Sequence, residues 1–266
     1  MVRNLHHLKP QLPFVPGFEL AGEIAAVGKE VTQFHEGDRV MALKTIDLGA
    51  FAEKCVVDED EAFKINPNLS YEMAAVLPCA YGSAYYALQT VAKVEQKQTI
   101  LVLTSQGASG MAAIDLALNV FKCKVIAACD NEEKCTVIRP MGVTATVDYS
   151  KEELTKAVMK ATKQHGVDLV VDTVGGRWFH EAANCVKEDG KVLVQGFSSG
   201  QVPTIDVQHL VQKQLSLQGV WFGGYIRRKP DKFHSIMRHI MKLLEDEYLS
   251  PVIRATYKIE NVRYQG

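Results

Sequence analysis

Apolar runs begin near residues 99 (TILVL), 124 (KVIAA), 145 (ATVDY), 167 (VDLVVD), 190 (GKVLVQG) and 215 (LSLQGV), at intervals of 25, 21, 22, 23 and 25 residues. Several are bounded by turn residues, the pattern of strands buried on both faces. The stretches between them, notably 108–121, 131–139 and 151–164, have helical spacing. Six strand-then-helix steps at this period constrain the chain to an α/β fold with a doubly wound parallel sheet. Right-handed crossovers then place a ligand at the carboxyl ends of the strands.

The first run leads into Thr104-Ser105-Gln106-Gly107-Ala108-Ser109-Gly110. A dinucleotide loop would read G-x-G-x-x-G, and Thr104 stands where its first glycine would be. A pyrophosphate at a helix N-terminus needs outward N–H groups and small side chains. Gly107, Ala108, Ser109 and Gly110 meet that need, and Gly110 also lets the helix pack close to the strand. Taken alone, the loop reads as well as a plain strand-to-helix turn. Its place at the head of six βα units favours phosphate.

The second strand ends in Cys129-Asp130-Asn131-Glu132-Glu133-Lys134, roughly 20 residues past the loop, where ribose selectivity is set. An acid there favours a 2′-hydroxyl, whereas Lys134 would pair with a 2′-phosphate as a point charge. The two cues conflict. Asp130 reads equally as a helix N-cap with Glu133 as its capping-box partner. Other strand ends carry small residues: "DTVGG" (172–176), with Val174 and Gly175, then "VQGFSSG" (194–200) and "GVWFGGY" (219–225). Glycine at such ends lets backbone approach a flat ring. Each alone is an ordinary turn; three at one sheet edge point to a site.

Residues 16–65 read as short strands, at 18–28, 38–43, 50–57 and 62–65, separated by Gly, Pro and Asp. They predict a small antiparallel sheet or barrel. Ser70 is placed to cap a helix, which Pro78 should break or restart. The stretch 80–92 then has helical spacing with Tyr81, Ala84, Tyr85 and Leu88 on one side. Beyond 225, Ile236, Ile240, Leu243 and Leu244 give an amphipathic helix.

A net charge of -1 argues against a nucleic-acid partner. No apolar run approaches the roughly 20 residues that span a bilayer. Six cysteines without a C-x-x-C pair read as reduced thiols. With no signal-like apolar stretch at the start, a cytoplasmic protein is expected, or a mitochondrial one if a transit peptide precedes these residues.

Seven stretches, in order, carry a resemblance to the medium-chain dehydrogenase/reductase superfamily, and within it to the zinc-free quinone oxidoreductases, the zeta-crystallin group. They are "LPFVPGFELAGEIAAVG" (12–28), "EGDRVMAL" (36–43), "AAVLPCAYGSAYYAL" (74–88), "VIAACDNEEKC" (125–135), "VDLVVDTVGG" (167–176), "VLVQGFSSGQVP" (192–203) and "GVWFGGY" (219–225). The resemblance implies a GroES-like β-rich catalytic domain with linking helices (1–92), a Rossmann-like NADP-binding domain (93–224) and the start of a C-terminal return (225–266). The family's early strands should precede Leu12, and relatives continue past the final glycine to a further strand. The catalytic domain is therefore expected to be incomplete at both ends.

The family loop reads A-x-x-G-G-V-G or A-x-x-G-A-T-G, which carries over onto Ser105, Gly107, Ala108, Ser109 and Gly110. Contacts to the 2′-phosphate of NADPH fall on Lys134 and Tyr149, while Asp130 stands where relatives often have glycine and keeps NADH open. Nicotinamide contacts fall on Gly196 and Phe197, and on Val220, Trp221 and Phe222. Ser83 falls where relatives often place a threonine facing the cofactor. Zinc relatives carry Gly-His-Glu where this chain has Gly17-Phe18-Glu19, so no zinc is expected. The implied activity is NADPH-dependent reduction of a small quinone or enone by hydride transfer. Tyr85 and Ser83 are the candidates to touch substrate or nicotinamide, against a core-packing reading for Tyr85 and Tyr81. Competing readings are an enoyl-thioester or alkenal reductase, and a nucleotide-binding protein that has lost turnover through truncation. A homodimer through the Rossmann sheet edge near 203–220 is implied by analogy.

Overall fold

The computed structural model describes residues 10–45, 47–104 and 107–264. They fall into two compact units. One holds the chain through Gly82, Gly223–Lys242 and the stretch from Pro251; the other holds Ser83–Phe222 and Leu243–Ser250.

In the first unit, β1 (Glu19–Glu23), β2 (Arg39–Leu43) and β3 (Ala62–Lys64) form an antiparallel sheet in the order β1-β2-β3. Glu19 pairs with Leu43 and Val40 with Lys64. Phe34, Val40, Ala42 and Ala62 bury together beneath it. The run 50–57, expected as a strand, forms none. Its first donors go instead to a segment distant in sequence, Ala50 N–H to the Gly17 carbonyl and Phe51 N–H to that of Pro16.

Ser70 caps α1 (Tyr71–Ala75) by accepting the Met73 N–H at 3.2 Å. Pro78 stands where the helix breaks and restarts, as expected: α1 ends at Ala75, and a new helical element begins at Leu77. The chain continues through a wide π-type stretch, Leu77–Tyr81, whose first turn contains the proline. A missing N–H costs little in a first turn, where donors lack intrahelical partners anyway. Then come α2 (Gly82–Tyr85) and a second wide stretch, Tyr86–Ala92.

In the second unit, β4 (Thr99–Leu103), β5 (Lys124–Cys129), β6 (Ala145–Asp148), β7 (Val167–Asp172), β8 (Val186–Val194) and β9 (Ser216–Gly219) form a parallel sheet, ordered β6-β5-β4-β7-β8-β9 among the described residues. The order reverses at β4, which makes this an α/β doubly wound sheet of Rossmann type with its switch point between β4 and β7. Crossover helices α3 (Ala108–Asp115), α4 (Glu132–Ile138), α5 (Leu154–Ala161), α6 (Arg177–Asn184) and α7 (Val207–Lys213) link the strands. β8 starts earlier than expected, and its pairing with β7 shifts register between Val167 and Leu169. The central strands are buried throughout Ile100–Leu103 and Val125–Cys129, because helices cover both faces of a parallel sheet.

Two further helices, α8 (Phe222–Arg228) and α9 (Pro230–Glu245), follow. In α9, Phe233, Ile236, Met237, Ile240 and Met241 are buried at helical spacing; Leu243 and Leu244 are half-buried. No described helix is long and apolar enough to cross a membrane.

Candidate functional site

Strand registers align the carboxyl ends of the large sheet. Asp148 pairs with Cys129, Ala128 with Leu103, Leu103 with Asp172, Asp172 with Val194, and Val194 with Gly219. Parallel strands in register end together, so the segments after them emerge at one edge. These are the β4–α3 loop, Asp130 to Lys134, Tyr149, Thr173 to Gly176, Gln195 to Phe197, and Val220 to Phe222. The spacing of the runs predicts the strands; the shared edge comes from the register.

Thr104 is fully buried and donates its N–H to the Ala128 carbonyl at 3.0 Å, extending the sheet by one residue. Gly107 is the N-cap of α3 in extended conformation. A Cβ built on it meets no described atom within 4 Å, whereas one on Gly110 would sit 2.6 Å from Thr104 Cβ. The two glycines thus have different jobs: Gly110 admits the helix to the strand, and Gly107 keeps open space above the first turn. Ala108 is exposed and Ser109 half-buried in that turn, where N–H groups have no intrahelical acceptors. Ser105 lies outside the described residues.

At the switch point, Asp172 is fully buried. Its Oδ1 accepts the N–H groups of Val174 and Gly175, both at 2.8 Å, and Oδ2 has no partner among the described residues. Burial raises its pKa, with the two N–H bonds pulling the other way. Gly175 has a φ of +71°, and a Cβ there would lie 2.8 Å from the Gln201 carbonyl oxygen; only glycine fits. Val174 is buried beneath the turn. Next to it, Gln195 and Gly196 both donate their N–H to the Asp172 carbonyl, at 2.8 and 3.3 Å, and Val220 donates to that of Val194 at 2.9 Å. Phe197 and Trp221 stay exposed at 45% each, while Val220 and Phe222 are buried.

Gln195 carries no motif and was not anticipated from sequence. Its Nε2 donates to Ser83 Oγ at 2.5 Å, and its Oε1 has no partner among the described residues. Ser83 thus joins this edge. Tyr85, two residues on, lies with its ring 6.1 Å from that of Phe121, the residue that follows the α3 crossover before β5. Tyr86, also not anticipated, lies 5.9 Å from Phe222. Tyr81 is buried in the first unit.

Beyond β5, the helix cap is Asn131 rather than Asp130. Its Oδ1 accepts the Lys134 N–H at 2.9 Å. Asp130 instead binds the Lys134 ammonium with both oxygens, at 2.6 and 2.7 Å. Tyr149 is 5% exposed, with its ring 4.2 Å from that of Trp178. Burial, reinforced by the carboxylates of Asp130, Asp172 and Asp148, raises its pKa, so the hydroxyl keeps its proton.

The first unit holds one unusual acid. Glu19 opens β1 and accepts the Cys79 N–H at 3.1 Å. Burial raises its carboxyl to about 7, against the lowering effect of that bond. The Cys79 thiol is pushed up by burial and by Glu19 beside it. Phe18 offers no metal-binding atom, and among the described residues no three His, Cys, Asp or Glu side chains gather as a metal site would require.

A Rossmann-type sheet with a glycine loop after its first strand, in one chain with a small antiparallel β unit, is the architecture of a nucleotide-dependent dehydrogenase. Residues 108–242 match the zinc-binding dehydrogenase family and residues 1–67 the alcohol dehydrogenase GroES-like domain; the chain belongs to this medium-chain dehydrogenase/reductase superfamily. Among its relatives, a quinone oxidoreductase-like protein 2 homolog from Nematostella vectensis is 36% identical over 255 residues, covering 96% of this chain and 69% of that protein. The quinone oxidoreductase of Pseudomonas syringae superposes with a TM-score of 0.88 at 27% identity, over 96% of this chain and 78% of that one. A mycobacterial protein solved in complex with NADPH superposes with a TM-score of 0.87 at 25% identity, over 95% and 78%.

Proposed function

We propose that the chain is a zinc-independent oxidoreductase that uses NADPH, with NADH also open to it, to reduce quinones or conjugated carbonyls. The observation that carries this reading is the carboxyl edge, where the open space at Gly107 and the turns after β7, β8 and β9 lie in register. The quinone oxidoreductase relatives support the substrate class, and the NADPH complex of the mycobacterial neighbour supports the cofactor.

When bound, the dinucleotide supplies a hydride. The protein's part is to hold and orient it. The first turn of α3, with Ser105, Gly107, Ala108 and Ser109, would take the pyrophosphate, while Gly110 keeps that turn against β4. Asp130, Lys134 and Tyr149 would face the adenosine ribose. Val174, Gly175, Gly196, Phe197, Val220, Trp221 and Phe222 would line the nicotinamide end, where exposed Phe197 and Trp221 shield it from water. Ser83 steadies Gln195 beside that end, leaving Gln195 Oε1 to accept from the carboxamide. Second-copy pairing through β9 is supported by its exposed edge and by exposed Val207, Val211 and Leu217 nearby; light scattering would read a dimer, and a monomer would remove this part.

The test is titration of the purified chain with NADPH and NADH, followed by fluorescence, then turnover with a quinone and with an enoyl thioester. Saturable binding with quinone-dependent oxidation supports the proposal. Turnover of the thioester alone would reassign the substrate, and no binding of either dinucleotide would remove the function.

A further inference from the structure

The corner of the sheet beyond β5 and β6 is charge-neutralised from within. Lys134 is held by both oxygens of Asp130. Arg139 pairs with Glu132 at 2.6 Å, and Lys151 lies 3.4 Å from Asp148. These are the basic side chains between the end of β5 and Lys151, and each already has a carboxylate. Lys134 has little freedom to look elsewhere, because the Asn131 cap fixes its backbone and Asp130 its ammonium. Tyr149 is packed on Trp178 with little surface exposed.

A 2′-phosphate carries close to two negative charges and needs a cation free to receive it. Here it must compete with Asp130 for Lys134 and then sit beside the displaced carboxylate. A 2′-hydroxyl faces no such competition. It donates to the Asp130 carboxylate while the Lys134 pair stays intact. We propose that Asp130 opens this site to NADH: the chain binds NADH and NADPH within about ten-fold of each other, and the Asp130–Lys134 pair sets that ratio. This rests on the dinucleotide reading above and adds the specificity determinant.

Calorimetric titration of the full chain with NADH, NADPH, 5′-AMP and 2′,5′-ADP tests it, with no turnover needed. Asp130→Gly and Asp130→Asn release Lys134. Each should shift the ratio towards NADPH by about ten-fold or more and tighten 2′,5′-ADP, which carries the 2′-phosphate without the nicotinamide. Lys134→Met should shift the ratio the other way. The two Asp130 variants guard against a local effect of glycine in the turn. A wild-type chain that prefers NADPH by more than a hundred-fold, or an Asp130→Asn ratio within two-fold of wild type, overturns the proposal while leaving the dinucleotide site intact. Failure of the wild type to bind either dinucleotide overturns both.

Discussion

Gly110 fits against Thr104. The glycine lacks a Cβ at the point where one would lie 2.6 Å from the threonine's own Cβ, and the threonine, fully buried, bonds to β5 through its N–H. This pair sets how closely α3 approaches β4. Thr104 prolongs the strand, and Gly110 yields the room.

The two loop glycines therefore separate by experiment. Gly110→Ala should destabilise the fold by about 1–3 kcal/mol, the usual cost of overpacking, read by denaturant midpoint. Gly107→Trp should leave that midpoint within about 0.5 kcal/mol, the usual range for a surface change, and abolish dinucleotide binding. Retained affinity in Gly107→Trp would sink the phosphate reading of the α3 turn.

Glu19 makes stability pH-dependent in an unusual direction. Its folded pKa, about 7, lies above the ordinary carboxyl value, so the folded state holds the proton more tightly than the unfolded one. Stability from this group is full at low pH and falls as pH rises from about 4.5 through 7. Glu19→Gln keeps an acceptor for the Cys79 N–H and carries no charge. It should flatten the decline, gaining up to about 2–3 kcal/mol over wild type at pH 8 and nothing at pH 4, as read by thermal melts across pH.

Asp172 serves its turn as an acceptor of two backbone N–H groups. Asp172→Asn retains Oδ1 for the Val174 and Gly175 N–H groups and should cost less than removing the acceptor. Asp172→Ala strands both donors and should cost about 2 kcal/mol or more, with faster amide exchange at Val174 and Gly175. Equal losses in the two variants would mean the charge itself matters.

The Ser83–Gln195 contact links the helix after Gly82 to the edge of β8. Ser83→Ala frees the Gln195 amide to rotate. Quinone turnover should fall about ten-fold while dinucleotide affinity changes by less than about three-fold, the pattern of a lost orienting contact. A parallel loss of affinity would instead make Ser83 part of the binding surface.

Much of the architecture was legible in the sequence. Strands β4 to β7 start where the apolar runs start, because a doubly covered strand must be apolar at every position. Ser70 behaves as the cap its residue type suggests. The misreadings share one cause: local signals compete with tertiary contacts. The run 50–57 alternates like a strand, yet its donors go to the chain around Gly17. Asp130 looks like a cap, but the adjacent Asn131 took that role and freed Asp130 for Lys134.

The sequence by itself determined the βα rhythm, the small-residue loop and the absence of a histidine beside Glu19, since each is a matter of residue type and spacing along the chain. Tertiary structure alone decided the strand order and register, how the conflict between Asp130 and Lys134 resolves into an ion pair, and that Gln195 meets Ser83 across 112 positions. Register, side-chain pairing and burial depend on which residues meet in space, and periodicity along one chain does not carry that information.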